Sequence, residues 1–237
     1  MATRDPVVFL FDCDNTLLDN DRFQDDLLVH LEQEFGAENR DRYWQIFLAL
    51  RAELGYADYL GALQRYRLGA MNNMRLLQMS DFLLDYPFAD RLYPGALDAV
   101  AHLGAWGPTV ILSDGDAVFQ PRKIQRSGLW HAFGGRVLVY IHKEKMLNAL
   151  EQRYPADHYV MVDDKLSILT AMKNRMGERL TTIFLRQGHY ALDQRNVAVY
   201  RPADLTVEHI ADLRHFNLPT LRNAGVPKVS NMAGVGR

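Results

Sequence analysis

Asp12 and Asp14, two residues apart, stop the apolar run from Val7 to Phe11. Side chains along a strand alternate, so residues 12 and 14 share a side if the chain stays extended. Two acids at the end of a buried strand are costly unless a cation or a proton transfer needs them. Similar residues recur downstream at the same kind of position. Ser113 follows Val110–Leu112, His142-Lys143-Glu144-Lys145 follow the run from Val137 to Ile141, and Asp163-Asp164-Lys165 follow Val160–Val162. Carboxylates, a small hydroxyl and an amine form a coherent set for holding phosphate with a hard cation. Magnesium takes oxygen ligands and combines one or two carboxylates with substrate phosphate, and lysine adds a point charge for phosphoryl oxygens.

Each residue also has a plainer reading. Asp12 and Asp14 could form an Asx-turn, Asp163 and Asp164 could favour the start of a following helix, and Lys143 could be a solvated charge. Ser113 and Asp114 could be turn or capping residues. Cys13 reads as a small buried side chain, and His142 as a loop residue. Arg122, Lys123 and Arg126 read as a solvated helix face.

The elements that must carry these residues follow from periodicity. Strands are expected at Val7–Phe11, Thr109–Leu112, Arg136–Ile141, Tyr159–Val162 and Thr181–Leu185, with a shorter one at Val197–Tyr200. Helices are expected at 117–127, 144–153, 166–175 and 206–214, and another at 95–105 opened by Pro94-Gly95 with proline in its first turn. This alternation predicts an α/β fold with a doubly wound, mainly parallel sheet covered on both faces. Residues 20–84 differ. They predict four helices, near 21–35, 39–54, 57–68 and 72–84, with Leu27, Leu31 and Phe35, and then Trp44 and Phe47, at helical spacing. Tyr59, Leu63 and Tyr66, and Met71, Met74 and Met79, read as packing within that segment. The expected division is an α/β core from residues 1–18 and 92–216, a helical insertion at 19–91, and a mobile tail at 217–237 rich in Gly, Pro and Asn.

Bulk composition narrows the function. The chain has 237 residues, 48% of them hydrophobic and 24% charged, with a formal net charge of −2. That balance argues against nucleic-acid or membrane-surface binding driven by net charge. A single cysteine rules out an intrachain disulfide and a multi-cysteine zinc site. With no signal-peptide pattern or membrane-length apolar run, the expected setting is cytoplasmic.

Asp12-x-Asp14-x-Thr16, Ser113, a lysine and Asp163-Asp164, each after a strand and in this order, resemble the four motifs of the haloacid dehalogenase (HAD) superfamily. The insertion between the first two motifs resembles that superfamily's helical cap. The resemblance spans about residues 7–200 and implies a Rossmann-like core. It implies that Asp12 is a nucleophile forming an aspartyl-phosphate, and that Asp14 is general acid and then base. Thr16 would hold the loop and Asp14 in place, Ser113 and Lys143 would bind the phosphoryl group, and Asp12, Asp164, Asp163 and the Asp14 carbonyl would surround Mg²⁺. Lys145 is the alternative third-motif lysine. Asn15 stands where many relatives have glycine. Dehalogenase members lack the second acid, so Asp14 points to a Mg²⁺-dependent phosphohydrolase acting on a small phosphorylated metabolite. A phosphomutase of the same superfamily and a non-catalytic binding module are the alternatives. Asn20, Arg22, Arg91 and several tyrosines are candidate substrate contacts.

Overall fold

The computed structural model describes residues 6–68 and 75–224. Its centre is a six-stranded sheet, all strands parallel, in the order β3-β2-β1-β4-β5-β6. The strands are β1 (Val8–Phe11), β2 (Thr109–Asp114), β3 (Val137–Tyr140), β4 (Tyr159–Asp163), β5 (Leu180–Leu185) and β6 (Leu205–Val207). The chain runs outward from β1 to β2 and β3, then returns across β1 to start β4. The crevice beyond the carboxyl ends of β1 and β4 is therefore the topological switch point, where ligands bind in open α/β sheets.

The strands are apolar on both faces because helices cover both. Phe9 and Phe11 of β1 pack on one side with Ala99, Val100 and Leu103 of α5 (Ala96–Gly104). Val8 and Leu10 pack on the other with Leu150 of the helix Leu147–Arg153 and Leu169 and Met172 of the helix Leu166–Met176. Each such side chain contributes roughly 1.5–3 kcal/mol by leaving water. Alternation along β1 thus anchors the strand from two directions and fixes where it ends, at Asp12.

Between β1 and β2 lie α1 (Asn20–Phe35), α2 (Ala37–Leu54), α3 (Tyr59–Arg67) and α4 (Arg75–Asp85). Asp19 caps α1 by accepting from Arg22 N at 2.9 Å, and Asp58 caps α3 by accepting from Gly61 N at 2.7 Å. These helices bury their own cluster, including Leu27, Leu31, Phe47, Tyr59, Leu63, Tyr66 and Met79. Met71 and Met74 lie outside the described residues. Phe119, from α6 (Phe119–Arg126), joins this cluster and stitches the helical layer to the core.

The structure departs from the sequence expectations in four places. Val197–Tyr200 is not a strand. Val197 ends a short helix, Gln194–Val197, and Val199 is 72% exposed. The sixth strand is Leu205–Val207, paired with β5, and the expected helix at 206–214 is instead a 3₁₀ segment, Ile210–His215. Pro94 lies outside the helix it was expected to open, because Gly95 sits before Ala96 with a φ of 77°, a conformation that breaks the turn. Residues 218–224, expected to be tail, form a helix, Leu218–Ala224, whose Leu221 is fully buried. The remainder of that tail, 225–237, lies outside the described residues.

Candidate active site

The loop after β1 turns sharply at Asn15, which adopts a φ of 60°. Glycine takes that conformation without strain, and asparagine is among the few residues that tolerate it. Here its side chain is also used. Asn15 Oδ1 accepts from the backbone N–H groups of Asn20 and Asp21 at 3.0 and 3.2 Å, and Nδ2 donates to Asp21 Oδ1 at 2.9 Å. The residue in the usual glycine position therefore helps to start α1.

Asp12 follows the last residue of β1 and lies beside Asp163, which ends β4; the Asp12 N–H donates to the Val162 carbonyl at 3.0 Å. Asp12, Asp163 and Asp164 can each present a carboxylate oxygen such that all lie within 4.8 Å of one another. All three are buried. Among the described residues, Asp12 Oδ2 and both oxygens of Asp164 have no hydrogen-bond partner. Burial pushes the Asp164 carboxyl well above the usual carboxylate range, and that of Asp163 above it as well, despite the nearby lysines. Unpartnered, buried carboxylate oxygens converging on one point fit a divalent cation with a preference for oxygen ligands. The Asp14 carboxylate is not one of this set.

Lys143 reaches the same point from the loop after β3. Its Nζ lies 2.5 Å from Asp12 Oδ1 and 2.8 Å from Asp163 Oδ2, and it donates to the Leu112 carbonyl at 3.2 Å. Burial disfavours its charge, but Asp12 and Asp163 outweigh that and raise the ammonium above the ordinary lysine range. His142 before it takes a φ of 58°. Lys145 is exposed, so of the two candidate lysines it is Lys143 that meets the acids. Ser113, at the end of β2, is buried. Its hydroxyl donates to the Asp114 carbonyl at 3.3 Å and accepts from Gln120 Nε2 at 3.1 Å. Asp114 accepts from the Lys143 backbone N–H at 2.7 Å, joining the loops after β2 and β3.

Asp14 has its own surroundings. Lys123 Nζ donates to its two oxygens at 2.8 and 3.0 Å, and Gln120 Nε2 to Oδ2 at 3.3 Å. Lys123 was expected on a solvated face, yet its side chain is 1% exposed. Burial opposes its charge, and Asp14 more than compensates, so its ammonium too lies above the ordinary range. Thr16 is buried, but among the described residues its hydroxyl has no hydrogen-bond partner, so Asp14 is held by Lys123 and Gln120 rather than by Thr16. Cys13 is buried, and burial raises its thiol well above the usual range, which fits a packing role.

A cavity of about 520 Å³ opens beside Asp14. Its walls include Asn20, Arg51 and Tyr56 from the helical layer, and His142, Lys165 and Tyr190 from core loops. Arg51 and Lys165 stand over the Tyr190 ring at 5.3 and 4.8 Å. Of the expected contacts from the insertion, Asn20 lines this space. Arg22 and Arg91 do not line it, and both pair with Asp26, at 3.5 and 3.6 Å.

Residues 7–174 match the family of haloacid dehalogenase-like hydrolases. The chain belongs to this family and is a hydrolase of the HAD type. A haloacid dehalogenase-like hydrolase from Burkholderia xenovorans LB400 is 66% identical, with a TM-score of 0.86 over 90% of this chain and 99% of that one. More distant likenesses show the fold alone. A HAD-hydrolase, YfnB of Bacillus subtilis, solved bound to magnesium, is 18% identical, with a TM-score of 0.62 over 90% of this chain and 98% of that one. An L-2-haloacid dehalogenase from Xanthobacter autotrophicus is 19% identical, with a TM-score of 0.57 over 88% of this chain and 96% of that one. No curated protein matches the chain. Among the described residues, no helix is long and apolar enough to cross a membrane.

Proposed function

We propose that this chain is a Mg²⁺-dependent phosphohydrolase that releases phosphate from a small phosphorylated metabolite through an aspartyl-phosphate on Asp12. The observation that carries the reading is the presence of two separately held acid sites. Asp12, Asp163 and Asp164 converge around Lys143, while Asp14 stands apart on Lys123 and Gln120. Cleaving carbon–halogen releases a halide that needs no proton, so it calls for a carboxylate nucleophile but no general acid for the leaving group. Phosphoryl transfer needs charge compensation on an anionic group and an acid–base residue for the leaving oxygen and for water.

In this reading the Asp12 carboxylate attacks phosphorus, and the bond to the leaving oxygen breaks as Asp14 supplies that oxygen with a proton. Water then displaces the Asp12 carboxylate from phosphorus and gives a proton to Asp14, releasing phosphate. Lys143 offsets charge on Asp12 and the phosphoryl oxygens, and the Ser113 hydroxyl donates to one of those oxygens. Asp12, Asp163, Asp164 and the Asp14 carbonyl would hold Mg²⁺. When bound, the cation screens the repulsion between carboxylate and phosphate. The cavity beside Asp14 would take the rest of the substrate.

The fold likeness to L-2-haloacid dehalogenases makes carbon–halogen cleavage the reading to test against. Purified protein is to be assayed for phosphate release from p-nitrophenyl phosphate and a panel of phosphorylated metabolites, with Mg²⁺ and with EDTA. In parallel, halide release from 2-chloropropionate is measured. Phosphate release that EDTA stops and Asp12→Asn abolishes is expected. Halide release without phosphate release would replace this reading with the dehalogenase one, and an isomerised sugar phosphate without free phosphate would replace it with a mutase.

A further inference from the structure

Lys123 is a buried cation that none of the four ordered motifs contains. It sits on α6, where Phe119, Gln120, Lys123 and Ile124 form the buried side. An ammonium has three protons to donate. The Lys123 Nζ contacts are Asp14 Oδ1 at 2.8 Å, Asp14 Oδ2 at 3.0 Å and Asn20 Oδ1 at 3.0 Å. Around it stand the rings of Phe23, Tyr59, Phe88 and Phe119, with centroids 5.8, 6.0, 5.8 and 5.3 Å away. Aromatic faces attract a cation and exclude water from it. Three of those rings and Asn20 belong to the segment between the first and second motifs, whereas Asp14 belongs to the first motif itself.

A long, flexible side chain held by a bidentate carboxylate, an amide oxygen and four rings has little freedom left. Its charge meets one acid, and that acid is the one poised beside the cavity. We infer that Lys123 is a positioning residue. It fixes the Asp14 carboxylate as the acceptor for the proton of attacking water, and it ties that placement to the seating of the helical layer. The inference rests on the phosphohydrolase reading. The step concerned forms a bond between water oxygen and phosphorus, breaks the bond between Asp12 and phosphorus, and moves one water proton to Asp14. Three donor contacts reach the Asp14 carboxylate, two from Lys123 and one from Gln120, so both of its oxygens are held in place.

The test is the burst kinetics of Lys123→Met on p-nitrophenyl phosphate with Mg²⁺. Nitrophenolate is a good leaving group, so the first half-reaction needs little help from Asp14, whereas the second still needs a base. A burst approaching one nitrophenolate per site is expected, followed by a steady state slowed ~10²-fold or more, with phosphorylated protein visible by intact mass. Asp14→Asn should behave alike, and the double variant should be no slower than either single one. A fall in both phases together, or losses that multiply in the double variant, would overturn the inference by marking Lys123 as merely structural. Lys123→Gln is read in the same way should the methionine variant not fold. A crystal structure of either variant gives a readout free of turnover. The Asp14 carboxylate is expected to leave its place beside Gln120, and finding it unmoved would refute the positioning role. If wild-type protein releases no phosphate at all, the phosphohydrolase reading fails first, and the crystal structure still decides whether Lys123 places Asp14.

Discussion

Lys143 Nζ lies 2.5 Å from Asp12 Oδ1, a contact that joins the end of β1 to the loop after β3 across 131 residues of chain. Both groups are almost fully buried, so the pair cannot fall back on water. Removing one partner strands the other's charge, a loss of roughly 3–5 kcal/mol for buried pairs. Lys143→Met is therefore expected to lower the unfolding free energy from urea titration by that order and, on the phosphohydrolase reading, to cut phosphate release ~10²-fold or more through loss of charge compensation. Unfolding curves of variant and parent that coincide would contradict the stabilising role of the pair.

The acids around the proposed cation site give a pH dependence of definite sign. Burial raises the Asp163 and Asp164 carboxyls above their unfolded range. The folded state then binds protons more tightly than the unfolded one, so metal-free protein loses stability as pH rises from about 4 through the raised values. A bound divalent cation offsets this by binding only the folded state, by about 2.7 kcal/mol at a hundred times its Kd. Mg²⁺ should therefore raise the melting temperature, and more strongly near neutral pH than in mild acid. Asp164→Asn should gain metal-free stability near neutral pH, because it removes that buried charge, while losing most of the Mg²⁺ shift. Thermal melts with Mg²⁺ or EDTA decide it, and an undiminished shift in the variant would remove Asp164 from the site.

Asp21, in the first turn of α1, behaves in the opposite sense. Burial alone would raise its carboxyl, but hydrogen bonds from His189 and Asn15 outweigh it and hold it below the usual range. The His189 backbone N–H donates to Asp21 Oδ2 at 2.8 Å, and Nδ1 lies 2.5 Å from Oδ1. A depressed carboxyl contributes stability above its unfolded value, about 4, and that contribution disappears as pH falls through the folded value. Asp21→Asn should thus be destabilised near neutral pH and converge on the parent in strong acid. A stability difference independent of pH would show that the charge is not what matters.

Arg51 faces the cavity with no ion pair to an acid among the described residues, its guanidinium resting over Tyr190. If the substrate's distal end is anionic, Arg51→Ala should raise KM by roughly ten-fold with little change in kcat, since the contact would be equal in ground and transition states. Steady-state kinetics on the best substrate of the metabolite panel checks this. A fall in kcat at constant KM would place Arg51 in the chemistry instead.

The sequence carried the centre of the sheet because β1, β2 and β4 are buried and read as continuous apolar runs, each stopped by a polar residue. It carried the acids and Lys143 for the same reason, since a strand's end is a sharp boundary. It failed at Lys123, where neighbours in sequence point apart. Arg122 and Arg126 are four residues apart on one side of α6, and both reach Asp85, one through its carboxylate and the other through its carbonyl. Lys123 is turned about 100° from Arg122, onto the stripe of Phe119 and Ile124. Its spacing of four from Phe119 was the available signal, and its charge masked it. The sixth strand was missed because three residues, Leu205–Val207, are too few to show alternation, while the apolar run at Val197–Tyr200 imitated a strand without a neighbour to pair with.

The chain leaves the core for the helical layer and returns along the same line. Leu18 and Leu92 form an antiparallel bridge, Asp19 N donates to the Arg91 carbonyl at 2.8 Å, and Tyr93 N donates to the Leu17 carbonyl at 3.0 Å. Because exit and return already touch, whatever is spliced between them adds no further loop to close and leaves the strand order below untouched. The roof is in this sense a replaceable part: a helical layer of different length could be grafted at this ribbon, changing which molecules are admitted while the floor of acids keeps its geometry. The graft would have to bring its own oxygen and rings for Lys123.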